Sequence, residues 1–410
     1  MKILFTSPVL EHPAIGGPAL RIENSIKVLS NISELHIISG VAECNLGGKD
    51  AKDFYKSLSK NFLYLPSTYY FFSTDWFYKV KRKTYKLLNL FGLKPDLLKQ
   101  DAKFLLKYAR KNSINVIWFG YGNISYDLIN AVKKLDHKIK TVCDTDSVWS
   151  RFILRELPYV QSEQRRKKIE LEGARKRFEE EQFTNICEIT TAVSTVDSEY
   201  YKKLTTQKNK VQIFSNVIDL DNYKKEIKPP EGFKKPCIYL AGSFGKNSPM
   251  EQAARWVIDE IFPIVKKYKP DIHFYIVGRG SKETLSDVKD ESITITGMVN
   301  SVLPYLKNSD VVLVPLWFES GTRFKILEAA ACVVPIVSTA LGAEGLNVEA
   351  GVDILIADKP ADFARSILRL LNDKNYSNWI AKNAYRLVEK NYDLKNLQTE
   401  GLKILQSLQG

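Results

Sequence analysis

The stretch "VVLVPLWFESGTRFKILEAAACVVPIVST" (Val311 to Thr339) joins two apolar runs through a polar turn and a helix-length segment. The first run, Val311 to Leu316, predicts a buried strand. Arg323 to Ala331 predicts a helix, and Pro335 to Thr339 predicts a second strand. Short apolar strands separated by a helix are typical of parallel βαβ units. The stretch therefore predicts an α/β fold with parallel sheets.

The same alternation of strand and helix patterns continues along the whole chain. A polar segment with several prolines and lysines, Asp219 to Pro236, interrupts it and is typical of a linker. We therefore predict two Rossmann-like domains, with ligands bound in a central cleft at the carboxyl ends of the strands. The predicted boundaries are 1–215 for the first domain, 216–236 for the linker, 237–385 for the second domain, and 386–410 for a C-terminal helix that packs back on the first domain.

Size and composition exclude several classes of protein. The chain has 410 residues, of which 44% are hydrophobic and 26% charged, as expected for a globular protein with two cores. No apolar run approaches the roughly 18 residues of a membrane span, and the N-terminus lacks the core of a signal peptide. We therefore expect a cytoplasmic location. The five cysteines are far apart, which predicts reduced thiols, and the four histidines show no metal-ligand spacing.

The net charge of +13 is concentrated in one part of the chain. The segment from Lys79 to Lys111 contains eleven Lys and Arg residues but two Asp residues, and it comes directly after an aromatic cluster from Tyr69 to Tyr78. Cations beside aromatic side chains suit an anionic membrane surface, so residues 69–111 predict peripheral contact with the inner face of the membrane or with a lipid-linked substrate. The alternative is a basic helical excursion whose aromatic side chains are core. Nucleic acid fits the charge, but no known motif supports it as a partner.

Two segments of the second domain have the chemistry of an anion site. In "LAGSFGKNSP" (Leu240 to Pro249), Gly242 and Gly245 allow tight turns after a strand, Lys246 adds a cation, and Pro249 suits a first helical turn. This arrangement predicts a phosphate site. The full dinucleotide fingerprint and the Walker lysine loop are both absent.

The second segment is the helix that follows Val311 to Leu316. Arg323 and Lys325 lie in its first turn, where cations oppose the helix dipole unless an anion binds there. Glu328 lies one turn further, and one carboxylate can accept hydrogen bonds from two adjacent hydroxyls. The pattern predicts cations for a diphosphate and a carboxylate for a ribose. The alternative is that these charges are solvated flanks of a buried helix.

These residues resemble a known family. The stretch "GTRFKILEAAACVVPIVSTALGAEGL" (Gly321 to Leu346) is similar to the donor-site signature of glycosyltransferase family 4, among the glycosyl transferases group 1, which has the GT-B fold. "YLAGSFG" resembles the first strand and glycine turn of that family's second domain. "TITGMV" (Thr294 to Val299) resembles its base-lining loop, and "LFTSPVLEHPAIGGPALR" (Leu4 to Arg21) resembles its N-terminal glycine loop. The likeness covers most of the chain and is weakest from about 45 to 110.

The resemblance implies transfer of a sugar, with its anomeric configuration retained, from a UDP- or GDP-linked donor to a glycan. It implies no cofactor and a place in bacterial-type surface polysaccharide or glycoconjugate synthesis. Glu328 would hold the ribose, and Lys246, Arg323 and Lys325 would stabilise the leaving diphosphate. The remaining donor-binding candidates that the resemblance implies are Gly16, Gly17, Gly242, Ser243, Gly297, Val299, Glu319, Ser320, Gly321 and Thr322.

The chain departs from the family pattern at the first of two paired glutamates. Ser320 occupies that place, and eight residues separate Glu319 from Glu328 instead of seven. Glu328 is therefore the stronger candidate of the two glutamates. The crossover motif reads Asn216-Val217-Ile218-Asp219 in this chain.

A separate pattern, Asp144-Thr145-Asp146, follows a predicted strand. Two such carboxylates can hold a divalent metal on a diphosphate in the GT-A fold. A GT-B enzyme needs no such metal, so no metal site is predicted. Asp144 remains a catalytic candidate that could face the reacting sugar, and the alternative is capping of the strand end. The rival functions are an inactive GT-B partner that binds glycan or another transferase and an NAD-dependent enzyme, which the missing fingerprint argues against.

Overall fold

The structure, a computed structural model, describes residues 1–68 and 96–409. It divides into two compact units. Unit 1 comprises Met1–Asn216 and Leu397–Gly410, and unit 2 comprises Val217–Asn396. Residues 217–236, for which the sequence predicts a separate linker, are thus part of unit 2. Unit 2 also extends to Asn396, where the predicted second domain ends at 385.

Unit 1 is built on a seven-stranded sheet in the order β3-β2-β1-β4-β5-β6-β7. Every pair of neighbours is parallel, and Phe5 of β1 lies opposite Ile37 and Trp118 on the two adjacent strands. Strands buried on both faces need continuous apolar sequence, which is why these segments show little alternation. The strands are β1 (Lys2–Ser7), β2 (Glu34–Ser39), β3 (Asn61–Tyr64), β4 (Val116–Gly120), β5 (Lys140–Asp144), β6 (Ile189–Ala192) and β7 (Val211–Ile213).

Helices connect the strands of unit 1, as parallel neighbours require. Side chains cap the first turns of three of the described helices of unit 1, at Asp96, Ser162 and Ser194; Ser162, for example, accepts from the amide of Arg165. The helices are α1 (Gly17–Ile32), α2 (Glu43–Leu46), α3 (Gly48–Ser57), α4 (Leu97–Lys111), α5 (Tyr126–Leu135), α6 (Trp149–Leu154), α7 (Glu163–Ile186) and α8 (Thr195–Lys202), with 3₁₀ turns at Gly122–Ile124, Leu157–Tyr159 and Lys208–Lys210.

Unit 2 is built on a six-stranded parallel sheet in the order β10-β9-β8-β11-β12-β13. The strand predicted for Val311 to Leu316 is β11, and it lies between β8 and β12 at the centre of this sheet. The strands are β8 (Cys237–Ala241), β9 (His273–Val277), β10 (Ile293–Ile295), β11 (Val311–Val314), β12 (Ile336–Ser338) and β13 (Leu355–Ile356).

The helices of unit 2 include one irregular segment with a local cause. Pro263 has no N–H for the preceding turn, and a π-helical stretch, Val257–Ile261, comes just before it. The helices are α9 (Pro249–Trp256), α10 (Phe262–Tyr268), α11 (Ser281–Thr284), α12 (Leu303–Asn308), α13 (Phe324–Ala331), α14 (Ala340–Ala343), α15 (Pro360–Asn372), α16 (Lys374–Asn391) and α17 (Leu394–Ser407), with a 3₁₀ turn at Leu220–Tyr223.

The C-terminal helix α17 begins in unit 2 and ends in unit 1. The Glu400 carboxylate accepts hydrogen bonds from the amide (2.7 Å) and the hydroxyl (2.8 Å) of Ser215. A Cβ placed on Gly401 would lie 2.9 Å from Cδ1 of Ile32, so the helix packs closely on α1. These contacts fix residues 397–409 to the first unit.

Residues 69–95 of the predicted membrane-contact segment lie outside the described residues, and they include the whole aromatic cluster. The described part, α4, buries Ala102, Leu105 and Ala109 and exposes Lys103 and Lys107. Its apolar face belongs to the core of unit 1. Within residues 1–68 and 96–409, no helix combines the length and the apolar character needed to cross a bilayer.

Two glycine turns of unit 2 touch at the carboxyl ends of β8 and β9. Gly278 has a φ of 133°, and a Cβ on it would lie 2.0 Å from the carbonyl oxygen of Gly242. We expect Gly278→Ala to lower the free energy of unfolding of unit 2 by about 2–4 kcal/mol, through the clash and the left-handed backbone together. Urea denaturation measures this. Gly232→Ala is the control, because Gly232 has a φ of 70° and no atom within 4 Å of the added Cβ. Equal losses for the two variants would contradict the close-approach argument.

Candidate functional site

The first part of the candidate site is the glycine turn between β8 and α9. Ser248 caps α9 by accepting from the amide of Glu251 (3.2 Å) and also accepts from the amide of Gly245 (3.1 Å). Ser243 and Lys246 in this turn are exposed. Exposed polar groups at a helix start, after a strand of a parallel sheet, have the geometry of an anion site.

Backbone hydrogen bonds join this turn to the ends of the next two strands. The amide of Gly242 donates to Val277 (3.0 Å), and the amide of Gly278 donates to Gly297 (3.1 Å). Gly297 also donates to the hydroxyl of Ser281 (3.0 Å). Gly242 and Gly297, both predicted as site residues, therefore lie on one connected edge of the sheet. Val299 follows two residues later and is half-buried.

The second part of the site is the turn from Glu319 to Thr322 and the start of α13. Ser320, Thr322 and Arg323 are each at most 7% exposed. Arg323 is the N-cap residue, so the helix begins one residue later than predicted. Its Nη1 donates to the carbonyl oxygens of Ser320 (2.6 Å) and Gly321. The guanidinium is thus folded over its own turn and holds the Glu319–Thr322 loop in shape.

Met250 connects the two parts of the site. The Nζ of Lys325 lies 3.0 Å from Sδ of Met250. The same sulfur would lie 2.8 Å from a Cβ on Gly242, so Met250 packs directly on the glycine turn. Lys325 and the Gly242 turn are therefore neighbours, although residues 242 and 325 are 83 positions apart in the sequence. The Lys325 ammonium has no oxygen acceptor within hydrogen-bond distance among the described residues, and a thioether is a weak acceptor.

The environment shifts the pKa values of both ionisable residues of α13. Burial lowers the pKa of Lys325 to about 8, against the opposing effect of the Glu319 carboxylate, and the Arg323 cation lowers it further. Burial raises the pKa of Glu328, whereas the hydroxyl of Tyr223 and the Lys325 cation lower it. The shift of Lys325 means that its charge is held in a poorly solvated place, which an anionic ligand would relieve.

Sequence reasoning missed two residues of this region. Tyr223 donates to Oε1 of Glu328 (3.0 Å), and Met250 bridges Lys325 to the glycine turn. Tyr223 lies in the segment predicted as a linker, just after the Asn216–Asp219 crossover motif. Its position just after that motif is the one sequence signal by which Tyr223 could have been identified as a site residue. Nothing in the sequence around Met250 distinguishes it from a core methionine.

In unit 1, the predicted glycine loop lies at the start of α1. Gly16 is exposed, has a φ of 83° and is the N-cap residue of the helix, and no side chain caps this end. Gly17 is the first helical residue. Uncapped amides at the N-terminus of a 16-residue helix suit an anion. The ligand-binding role of Gly16 and Gly17 stays a prediction.

The structure places Asp144 in the interior of unit 1. It is fully buried in an ion pair with Arg21, its Oδ1 also accepts from Thr191 (2.7 Å), and its Oδ2 accepts from Trp118 (3.2 Å). Both carboxylate oxygens are thus occupied by protein groups. This geometry favours a structural role for Asp144 over contact with a reacting sugar.

Asp146 is half-buried and has different partners. Its Oδ1 accepts from Asn123 (2.5 Å) and from the indole of Trp149 (3.2 Å). In the two described parts of the chain, no group of three or more His, Cys, Asp or Glu side chains is arranged to hold a metal ion.

Comparison with known proteins gives a family match within unit 2 and a consistent fold. Residues 235–373 match the family model described as glycosyl transferases group 1. An uncharacterized 44.6 kDa protein in the cps region of Klebsiella pneumoniae is 26% identical over 156 residues, which cover 36% of this chain and 40% of that protein. An uncharacterized glycosyltransferase, MJ1069, of Methanocaldococcus jannaschii is 24% identical over 199 residues, which cover 46% of this chain and 50% of the relative. The chain thus spans half or less of these relatives' lengths.

A solved structure extends the likeness to both units. The crystal structure of Anabaena Alr3699/HepE in complex with UDP and glucose superimposes with a TM-score of 0.66, at 13% identity, over 99% of this chain and 100% of that one. A match of this kind covers the seven-stranded and the six-stranded sheets together. The chain therefore has the GT-B fold, and residues 235–373 of its second unit match the glycosyl transferases group 1.

Proposed function

We propose that this chain transfers a sugar from a nucleoside-diphosphate donor to a glycan, with retention of the anomeric configuration. One observation carries the proposal. The half-buried ammonium of Lys325 lies at the start of α13, beside the Gly242 turn, with a thioether as its one hydrogen-bond partner among the described residues. A cation with a lowered pKa at the edge of a parallel sheet lacks a strong acceptor, and a diphosphate would supply one.

The chemistry asked of this site is stabilisation of a leaving diphosphate. Charge that develops on the leaving group is best met by donors that are already in place. In the proposed mechanism Lys325, with Lys246 and the amide of Gly321, supplies those donors, because the amide of Gly242 already donates to Val277. Arg323 holds the loop that carries Ser320 and Glu319, the two candidates for contact with the donor sugar.

Glu328 has the proposed role of binding the ribose. Its carboxylate is half-buried on the same face of α13 as Lys325, and a carboxylate accepts from two vicinal hydroxyls. Gly297 and Val299 would lie beside the base. In unit 1, the uncapped start of α1 at Gly16 and Gly17 is a second place for an anionic group.

The pathway is proposed from the relatives. One relative is named for its place in a cps region, and another structure holds UDP and glucose. We therefore propose a UDP-linked donor first, a GDP-linked donor second, and surface polysaccharide or glycoconjugate as the acceptor. The cytoplasmic location and the contact of 69–111 with a membrane or lipid-linked acceptor stay predictions.

A thermal-shift panel with UDP, GDP, ADP and NAD, each with Mg²⁺ or with EDTA, tests the function. A ligand that binds only the folded state stabilises it by about 2.7 kcal/mol when the ligand concentration is 100 times the Kd. We expect one nucleoside diphosphate to raise the melting temperature equally with EDTA and with Mg²⁺. A shift that needs the metal would instead point to Asp146 and its surroundings. Folded protein that responds to none of the four would contradict the proposal and favour an inactive partner protein.

A further inference from the structure

Tyr223 makes a contact with Glu328 that neither the fold nor the donor-site signature requires. Its ring is buried, with 7% of the residue exposed, and its hydroxyl donates to Oε1 of Glu328 at 3.0 Å. Residues 223 and 328 come from different elements, the 3₁₀ turn Leu220–Tyr223 and the helix α13. The carboxylate is therefore held from outside its own helix.

Helix α12 fixes the position of Tyr223 independently of α13. The Nζ of Lys307 donates to the carbonyl oxygens of Tyr223 (2.5 Å) and Lys225 (2.6 Å). The side-chain amide of Asn308 donates to the carbonyl oxygen of Ile227 (3.0 Å). The segment 223–227 is thus tied at three carbonyl groups. A phenol on an anchored backbone can hold a carboxylate in one rotamer.

The other described ionisable groups near Glu328 make no hydrogen bond to it. The Lys325 cation lowers its pKa against the effect of burial, and burial and the carboxylate together raise the pKa values of the Cys332 thiol and the Tyr239 phenol. Among the residues that the structure describes, Tyr223 is the one that donates a hydrogen bond to it, and Oε2 receives none. One oxygen is therefore fixed and the other is available to a ligand.

We propose that Tyr223 is a positioning residue for ribose recognition, which holds Oε1 of Glu328 so that Oε2 accepts from a ribose hydroxyl of the nucleoside diphosphate. The inference rests on the proposed function of the donor site. It assigns the discrimination between ribose and a sugar without hydroxyls to a pair of residues, Tyr223 and Glu328. It assigns no part of diphosphate binding to Tyr223.

The test compares UDP with 2′,3′-dideoxyuridine 5′-diphosphate by calorimetry, in wild type and Tyr223→Phe. We expect wild type to prefer UDP by about tenfold or more, because hydrogen bonds to a charged group are strong. In Tyr223→Phe this preference is expected to fall roughly threefold to tenfold, since a hydrogen bond of ordinary strength that orients the carboxylate is lost. Affinity for the dideoxy nucleotide is expected to stay the same, because the cations are untouched. If GDP is the ligand that stabilises the protein, the guanosine pair replaces the uridine pair.

Two further variants make the test specific. Glu328→Ala is expected to remove the preference for the ribose. In the double variant, Tyr223→Phe is expected to have no additional effect on that preference, because the two residues act on the same interaction and their effects do not add. Tyr376→Phe is the matched control, because its hydroxyl donates to the backbone oxygen of Gly351 (2.9 Å) in the same unit. It is expected to leave both affinities unchanged.

A pH profile gives a readout that a packing role would not move. Burial raises the pKa of Glu328 and the Tyr223 hydroxyl lowers it, so removal of the hydroxyl raises it again. As the pH falls, the preference for UDP is therefore expected to disappear at a higher pH in Tyr223→Phe than in wild type. Lys325, Cys332 and Tyr239 remain in both proteins and do not account for the difference.

The possible failures separate the two proposals. If wild type binds no nucleoside diphosphate, the proposed function fails. If wild type prefers UDP over its dideoxy form and Tyr223→Phe keeps that preference unchanged, the inference alone is overturned. An equal loss of affinity for both nucleotides in Tyr223→Phe would also overturn it, because that result describes a general structural role.

Discussion

Asp144→Ala is expected to lower the free energy of unfolding by about 3–5 kcal/mol, because the change leaves the Arg21 guanidinium buried without its counter-charge. Both residues of the pair are at most 2% exposed. Arg21 would retain its hydrogen bonds to the carbonyl oxygen of Phe214 (3.1 Å) and to Oδ1 of Asn216 (2.8 Å), which are neutral acceptors. The loss therefore comes from a buried charge that has lost its ion-pair partner, with the Glu400 carboxylate as the remaining negative group that interacts with Arg21.

Urea unfolding followed by circular dichroism measures the loss, with two comparison variants. Asp146→Ala is the matched control, since its carboxylate accepts from the neutral side chains of Asn123 and Trp149, and we expect a loss of about 1–2 kcal/mol. The double variant Arg21→Met with Asp144→Leu removes both charges and is expected to be more stable than Asp144→Ala. A loss below about 1 kcal/mol for Asp144→Ala would contradict the assignment of a structural ion pair.

The pair also shows what sequence patterns do not contain. The Asp144-Thr145-Asp146 pattern is local, and it fits a metal site, a ligand contact or a strand-end cap equally well. The deciding partner, Arg21, lies 123 positions away on α1. Long-range contacts of this kind follow from the packing of α1 on the sheet, and no periodicity or spacing encodes them.

The fold itself was predictable because its signals are local. The apolar run at Val311 predicted β11, and Phe324–Ala331 closely matches the predicted helix. Runs of this length between helix-length segments have few alternatives to a parallel α/β sheet. The ends of elements were less certain, since Arg323 is a cap residue and not the first residue of its helix.

The candidate site was partly predictable for the same reason. Lys325 and Glu328 share a helix, and their spacing places them on one face. Tyr223 and Met250 reach them from 105 and 75 positions away, and so no local pattern identified them. The sequence therefore indicated the charged groups of the site but not the neutral residues that hold them.

Lys325→Met is expected to weaken binding of the nucleoside diphosphate by roughly 10- to 100-fold, because one charge-assisted hydrogen bond to the diphosphate is lost. The rate of sugar transfer is expected to fall further, by about 10²–10³, since charge on the diphosphate increases as the sugar leaves. Calorimetry gives the affinity and release of the free nucleoside diphosphate gives the rate. Methionine keeps most of the length and apolar character of the lysine stem, so the variant isolates the charge. Unchanged affinity would place the diphosphate elsewhere in the chain.

The pH dependence of affinity identifies the same group in the unchanged protein. Burial lowers the pKa of Lys325 to about 8, so its ammonium is charged below that pH and neutral above it. Affinity for the nucleoside diphosphate is therefore expected to be high below pH 8 and to fall as the pH rises through that value. Lys325→Arg is the control, because a guanidinium stays charged throughout this range, and its profile is expected to be flat. A fall above pH 8 that persists in Lys325→Arg would assign the titration to another residue.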